Sequence, residues 1–188
     1  MARYTVILDA CVLVPVSVAD TLLRIAEREL YRPTWSQRIL DETYDAIADI
    51  HPEIPSDRIV GRLDAMNFAF EDALVTDWES LELQIDLPDV DDCHVVAAAI
   101  RGRADAIVTA NTRDFPTEVL EQFHIDVVSP DVFLMNQFDL APGLVLEVIH
   151  EQAAHARNPT LTPIDLVARL ARAGVPNFAD EVRRHLIS

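Results

Sequence analysis

Asp91-Asp-Cys-His-Val-Val-Ala-Ala-Ala-Ile-Arg101, followed by Gly102 and by Ala106-Ile-Val-Thr109, is the stretch on which the fold turns. Residues 91–101 read as a helix, and Gly102 is placed to end it. Residues 106–109 read as a short buried strand, residues 116–123 as another helix, and Ile125-Asp-Val-Val128 as another strand. Helices alternating with strands predict a parallel sheet covered on both faces, because parallel neighbours must be joined by a crossover.

Outward from that block, Tyr4-Thr-Val-Ile-Leu8 is apolar at nearly every position and rich in β-branched residues, which predicts a first strand buried on both faces. Helices are expected over residues 17–30, 36–50 and 56–70. In the second of these Ser36 is the N-cap, Ile39, Leu40, Thr43, Ile47 and Ile50 share a stripe, and Asp41, Asp45 and Asp49 lie opposite. Residues 73–75 and 81–87 are open between short strand and loop. From Ser129 onward the pattern is helical throughout: residues 131–137, 142–155, 163–173 and 178–187. The expected organisation is α/β, a parallel sheet flanked by helices over residues 1–135, with a C-terminal helical extension over residues 136–188.

Composition excludes several chemistries. The 188 residues hold 15 basic against 32 acidic side chains, a net charge of -17, and every basic residue is Arg. Without Lys there is no Walker lysine, Schiff-base lysine or lysine general base. The glycines stand at 61, 102, 143 and 174, too far apart for a G-x-G-x-x-G loop. Cys11 and Cys93 form no C-x-x-C pair and read as small reduced core residues. Asp9 interrupts the apolar N-terminal stretch and no cleavage site follows, which argues against a signal peptide. The longest later apolar run, residues 95–100, is far below the ~18 residues a membrane span requires. A cytoplasmic protein without membrane association is expected.

Sites in open parallel sheets form at the carboxyl ends of strands. Asp9 stands there after the first strand, and Thr109-Ala-Asn111-Thr-Arg-Asp114 stands at the same end of a later one. Asp92 shares a helical face with Val95, Val96 and Ala99, so it points toward the core rather than acting as a plain solvated cap, the role that suits Asp89 and Asp91. Glu42 lies at the edge of its helix's stripe, four residues after Arg38, and also reads as a surface ion pair. Two like charges ~4 Å apart repel by about 4 kcal/mol at an effective dielectric near 20, so a convergence of these carboxylates must hold protons or divalent cations. Oxygen-only ligation selects Mg²⁺ or Mn²⁺, which suits phosphodiester hydrolysis.

Thr5-Val-Ile-Leu-Asp-Ala-Cys-Val-Leu13, Arg38-Ile-Leu-Asp-Glu-Thr43, and residues 89–100 followed by Ile107-Val-Thr-Ala-Asn-Thr-Arg-Asp-Phe-Pro116 resemble PIN-domain nucleases, closest to the VapC-type toxins of bacterial toxin–antitoxin pairs. The likeness covers roughly residues 3–135. It implies that Asp9, Glu42, Asp92 and Asp114 occupy the family's acidic positions, with Asn111 beside them; Asp9, Asp92 and Asp114 are then the expected metal ligands, and Asn111, Arg113 and Arg38 the candidates for binding substrate. It also implies a Mg²⁺- or Mn²⁺-dependent endoribonuclease, commonly a homodimer, silenced by a cognate VapB-type antitoxin whose tail covers the site.

Two other readings use the same residues: a catalytically weak PIN-fold binding module acting in an antitoxin or operator complex, and a metal-dependent DNA nuclease or phosphatase. The acidic balance bears on this choice, since nucleic-acid phosphates are normally met by Lys and Arg. Its distribution is uneven: ten acidic residues and no basic one lie between Arg62 and Arg101, whereas Arg101, Arg103 and Arg113 surround the last motif. RNA is expected to approach over the arginines, and a basic antitoxin tail over the acidic segment. His150-Glu-Gln-Ala-Ala-His155 is one residue too long for H-E-x-x-H, and a spacing of five puts its histidines ~140° apart on a helix. His94, next to Asp92, reads as an exposed first-turn histidine, with contact to substrate as the alternative.

Overall fold

A computed structural model of the chain describes residues 4–157 and 159–187. Five strands, β1 (Thr5–Leu8), β2 (Arg32–Ser36), β3 (Leu74–Val75), β4 (Ala106–Val108) and β5 (Asp126–Val128), form one sheet in the order β3-β2-β1-β4-β5. All four pairings are parallel. The first strand is therefore central, and the chain leaves it toward β2 on one side and returns as β4 on the other. The carboxyl ends of β1 and β4 flank the point where the winding reverses, the place where such sheets bind ligands.

The eleven helices described are α1 (Ala10–Leu13), α2 (Val16–Glu27), α3 (Gln37–Ile50), α4 (Ser56–Ala69), α5 (Glu79–Glu82), α6 (Cys93–Gly102), α7 (Thr117–Leu120), α8 (Pro130–Leu140), α9 (Pro142–His155), α10 (Pro163–Arg172) and α11 (Pro176–Ile187). A short 3-10 turn at Val90–Asp92 leads into α6. No single helix among the described residues is long and apolar enough to cross a membrane.

The chain packs as two compact units: Met1–Val14 with Tyr31–Val128, and Pro15–Leu30 with Ser129–Ser188. This division differs from 1–135 and 136–188. Helix α2 groups with the C-terminal helices, and α8 lies wholly in the second unit rather than straddling a boundary.

In the first unit, Val6, Ile7 and Leu8 are fully buried, contributing about 1.5–3 kcal/mol each by removal from water. Ser36 caps α3 by accepting from Ile39 N–H at 3.2 Å. Ile39, Leu40, Thr43 and Ile47 are buried as the stripe predicts, but Ile50 at the last turn is 60% exposed. Residues 93–99 of α6 are buried on every side, so this is a helix sunk in the core rather than an amphipathic one. Gly102 is its last helical residue and Arg103 takes the left-handed position (φ 52°) that ends it. The glycine is needed for space: a Cβ there would lie 2.9 Å from Val75 Cγ2. Of the segments left open, residues 74–75 are a strand, whereas α5 reaches into residues 81–87, which contain no strand.

In the second unit, Thr21 Oγ1 donates to Gln152 Oε1 at 2.7 Å and Gln152 Nε2 donates to Ser17 O at 3.0 Å, pinning α2 to α9. Helix α10 starts with a reciprocal capping box between Thr162 and Asp165. The N-terminus of α11 is held by Asp131, which accepts from Asn177 N–H at 3.2 Å and Phe178 N–H at 2.9 Å.

Candidate metal-dependent active site

Asp9 follows β1 directly and is only 6% exposed. Its Oδ1 accepts from Ala10 N–H at 2.7 Å, which caps α1. Its Oδ2 accepts from Thr109 Oγ1 at 2.7 Å and from the Cys11 thiol at 3.1 Å. Thr109, fully buried after β4, in turn accepts from Asn111 N–H at 3.0 Å, and Cys11 Sγ accepts from Ala110 N–H at 3.2 Å. The carboxyl ends of the two central strands are thus stitched together around one ionisable group. The sequence singled out Asp9 but gave neither Thr109 nor Cys11 a role beside it. The available signal was Thr109, a hydroxyl at the carboxyl end of a buried strand.

Asp92 ends the 3-10 turn at the start of α6, above the fully buried Val95, Val96 and Ala99. Burial pushes its carboxyl up to about 6, and the charges of Asp9, Asp89 and Asp114 push the same way, with His94 opposing. Asp114, half-buried in a 3-10 turn after β4, therefore shares an electrostatic neighbourhood with Asp92 and Asp9. Burial and the adjacent Asp9 push the Cys11 thiol up to about 12.

Glu42 enters by another route. On the first turns of α3, its Oε1 accepts from His94 Nε2 at 3.0 Å and Arg38 Nε at 3.3 Å. Arg38 also donates from Nη1 to Glu82 at 2.8 Å, tying α3 to α5. Its guanidinium is thereby engaged by two carboxylates. His94 is 1% exposed, not the exposed residue read from its first-turn position, because α6 has no solvent face there. Its ring lies 5.9 Å from that of Trp78. Asn111 and Arg113 are exposed beside Asp114. His150 and His155 are separate, each with Nδ1 against the carbonyl four residues before it, at 2.8 Å and 2.7 Å.

Among the described residues no three His, Cys, Asp or Glu side chains form a ready-made cage for a metal. Mg²⁺ does not ask for one: it retains several waters and takes one or two carboxylates. Asp92, with the charges of Asp9 and Asp114 acting on it, offers donors of that kind, all of them oxygen. The residues present fit Mg²⁺ or Mn²⁺.

Comparison with known proteins agrees with the fold. Residues 5–113 match the PIN domain, and residues 130–184 match the VapC50 C-terminal domain. A protein of Mycobacterium tuberculosis described as "Putative ribonuclease VapC50" is 40% identical over 93 residues, covering 50% of this chain and 54% of that protein. The chain thus spans about half the length of the curated relative it matches. No solved structure matches it.

Proposed function

The chain belongs to the PIN-domain family, and from that premise we propose that it is a metal-dependent endoribonuclease, the toxin of a VapBC-type pair. What supports this reading is the position of Asp9 and Asp114 after β1 and β4, beside the reversal point of the sheet, with the charges of both acting on Asp92. Asp9, Asp92 and Asp114 would hold Mg²⁺ or Mn²⁺. A bound ion would supply acidification of a water and charge stabilisation of the leaving oxygen.

The side chains supply the rest. Thr109, Cys11 and Ala10 N–H fix both oxygens of Asp9, so that ligand is pre-oriented. Glu42 completes the site or orients the attacking water. Arg113, exposed at the rim, meets a substrate phosphate, and Asn111 stands next to it. Arg38, already engaged by Glu42 and Glu82, acts on the frame of the site rather than on RNA. The reading brings with it a cognate VapB-type antitoxin, for whose basic tail the acidic segment is suited, and a homodimer. The 40% identity to a protein described as a ribonuclease supports RNA over DNA as substrate.

The test is RNA cleavage by the purified chain with Mg²⁺ or Mn²⁺, with EDTA, and with Asp92→Asn. Cleavage that requires the metal and falls to background in the folded variant is expected. Equal cleavage by parent and variant at matched purity overturns the assignment. The acidic stretch between Arg62 and Arg101 favours, as a second reading, a binding module of weak activity. Millimolar Mn²⁺ separates the two: a raised thermal midpoint is expected of the nuclease, none of the module.

A further inference from the structure

We propose that His94 is a positioning residue that fixes Glu42 through one carboxylate oxygen so that the other faces the reaction site. The inference rests on the nuclease reading above.

Two donors converge on Glu42 Oε1: His94 Nε2 at 3.0 Å and Arg38 Nε at 3.3 Å. Among the described residues no bond engages Oε2. A carboxylate held this way has lost its rotational freedom and keeps one oxygen available for a water proton or an inner hydration shell. The two donors come from different helices. Arg38 belongs to Glu42's own helix, four residues earlier, and alone would let the pair swing together on the surface, as exposed i,i+4 pairs do. His94 comes from α6, a helix buried over residues 93–99, and references Glu42 to the helix that Asp92 leads into.

The imidazole is poorly explained as packing. It is 1% exposed, yet its Nδ1 has no hydrogen-bond partner. A buried polar atom left unpaired opposes stability, and an apolar side chain of similar volume would avoid that opposition. Glu42 does not need the bond to be solvated, since its side chain is 38% exposed. What the histidine contributes is therefore the direction of Nε2–H. That contact also sets the tautomer, with the proton on Nε2.

His94→Phe retains a ring against Trp78 and removes the donor, whereas His94→Gln retains a donor of comparable reach. With Mn²⁺ and RNA, His94→Phe is expected to lower kcat about ten- to a hundredfold, the scale of lost support to active-site ligands, with KM within about twofold. His94→Gln should recover most of it. The double variant His94→Phe/Glu42→Gln should be no slower than Glu42→Gln, because the histidine acts only through Glu42. Nitrogen NMR of the full chain supplies a readout apart from activity: the Nε2–H tautomer in the parent, and displaced ring signals in Glu42→Gln.

An Nδ1–H tautomer, unmoved signals, additive losses in the double variant, or a folded His94→Phe that cleaves like the parent would each overturn the proposal. A parent chain inactive on RNA sinks the nuclease reading instead, an outcome distinct from an active parent with an indifferent His94. Should His94→Phe fail to fold, His94→Gln together with the NMR signature still decides.

Discussion

Thr109 Oγ1 and Asp9 Oδ2 lie 2.7 Å apart, a hydrogen bond spanning one hundred residues of sequence. It joins the ends of β1 and β4 through a fully buried hydroxyl. Thr109→Val preserves shape and leaves that carboxylate oxygen with the Cys11 thiol alone. A loss of about 1.5–3 kcal/mol in urea unfolding is expected, the range for hydrogen bonds to charged groups, together with weaker Mn²⁺ binding. Thr109→Ser should recover most of both. A Thr109→Val chain as stable as the parent would show that the bond carries no net stability.

Asp92 sets a pH dependence. Its carboxyl is raised to about 6, so the folded chain binds this proton more tightly than the unfolded chain does. Where the native state holds the extra proton, stability falls as pH rises. Without metal, the ionised Asp92 therefore opposes folding, fully so above pH about 6, and the opposition fades as pH falls toward the ordinary carboxylate value. Thermal midpoints of parent and Asp92→Asn, measured from pH 4 to 7, should diverge in favour of the variant as pH rises. Mn²⁺ should reverse the order near pH 7 and lose its effect below pH 6, where a proton competes. Parallel curves for the two chains would refute this.

Cys11 should be unreactive in the folded chain despite partial exposure. A thiol raised to about 12 holds roughly a thousandfold less thiolate at pH 8 than an ordinary one. Iodoacetamide followed by mass spectrometry should leave both cysteines unlabelled in buffer and label both in urea, since Cys93 is buried and also raised. Rapid native labelling at Cys11 would contradict the bond to Asp9.

Asp131 anchors the second unit by accepting from Asn177 and Phe178 at the start of α11. Removing an N-terminal helix cap costs about 0.5–2 kcal/mol, and here two backbone donors are left without it. Asp131→Ala should lose stability at the upper end of that range, with hydrogen exchange accelerated over residues 176–187. The Asn variant should fall between the two. Unchanged exchange in α11 would mean the cap is redundant.

The parallel sheet was legible because the 91–128 block alternates helix and strand within short, well-punctuated segments. The positions of Asp9 and Asp114 after β1 and β4, and of Asp92 at the start of α6, were legible for a related reason: strand ends and helix phase are local properties. Strand β2 was not, because Pro33 lacks the N–H a central strand uses and argues against that assignment, yet it sits opposite Val6 in the register. Burial of the strand, and Thr34 Oγ1 donating to Val6 O at 2.8 Å, win over the proline. His94 was misjudged because first-turn residues are usually solvated. What argued against exposure was that Ala97 and Ala98, one turn on, are small apolar residues suited to a helix enclosed on all sides. The engagement of Arg38 by Glu82 lies beyond any local pattern, the two being 44 residues apart.

Helix α2 is made early and belongs late. Its partner Gln152 follows Thr21 by 131 residues, so at the usual ~5–20 residues per second a ribosome needs roughly 7–26 s to deliver it. During that interval Leu22 and Ile25, which end fully buried, have no native neighbours from residues 129 onward. Synthesis therefore leaves the nascent chain holding an unsatisfied amphipathic segment while the strands on both sides of it become available for pairing. For this one element, packing must wait for the end of translation, whatever the neighbouring strands do in the meantime.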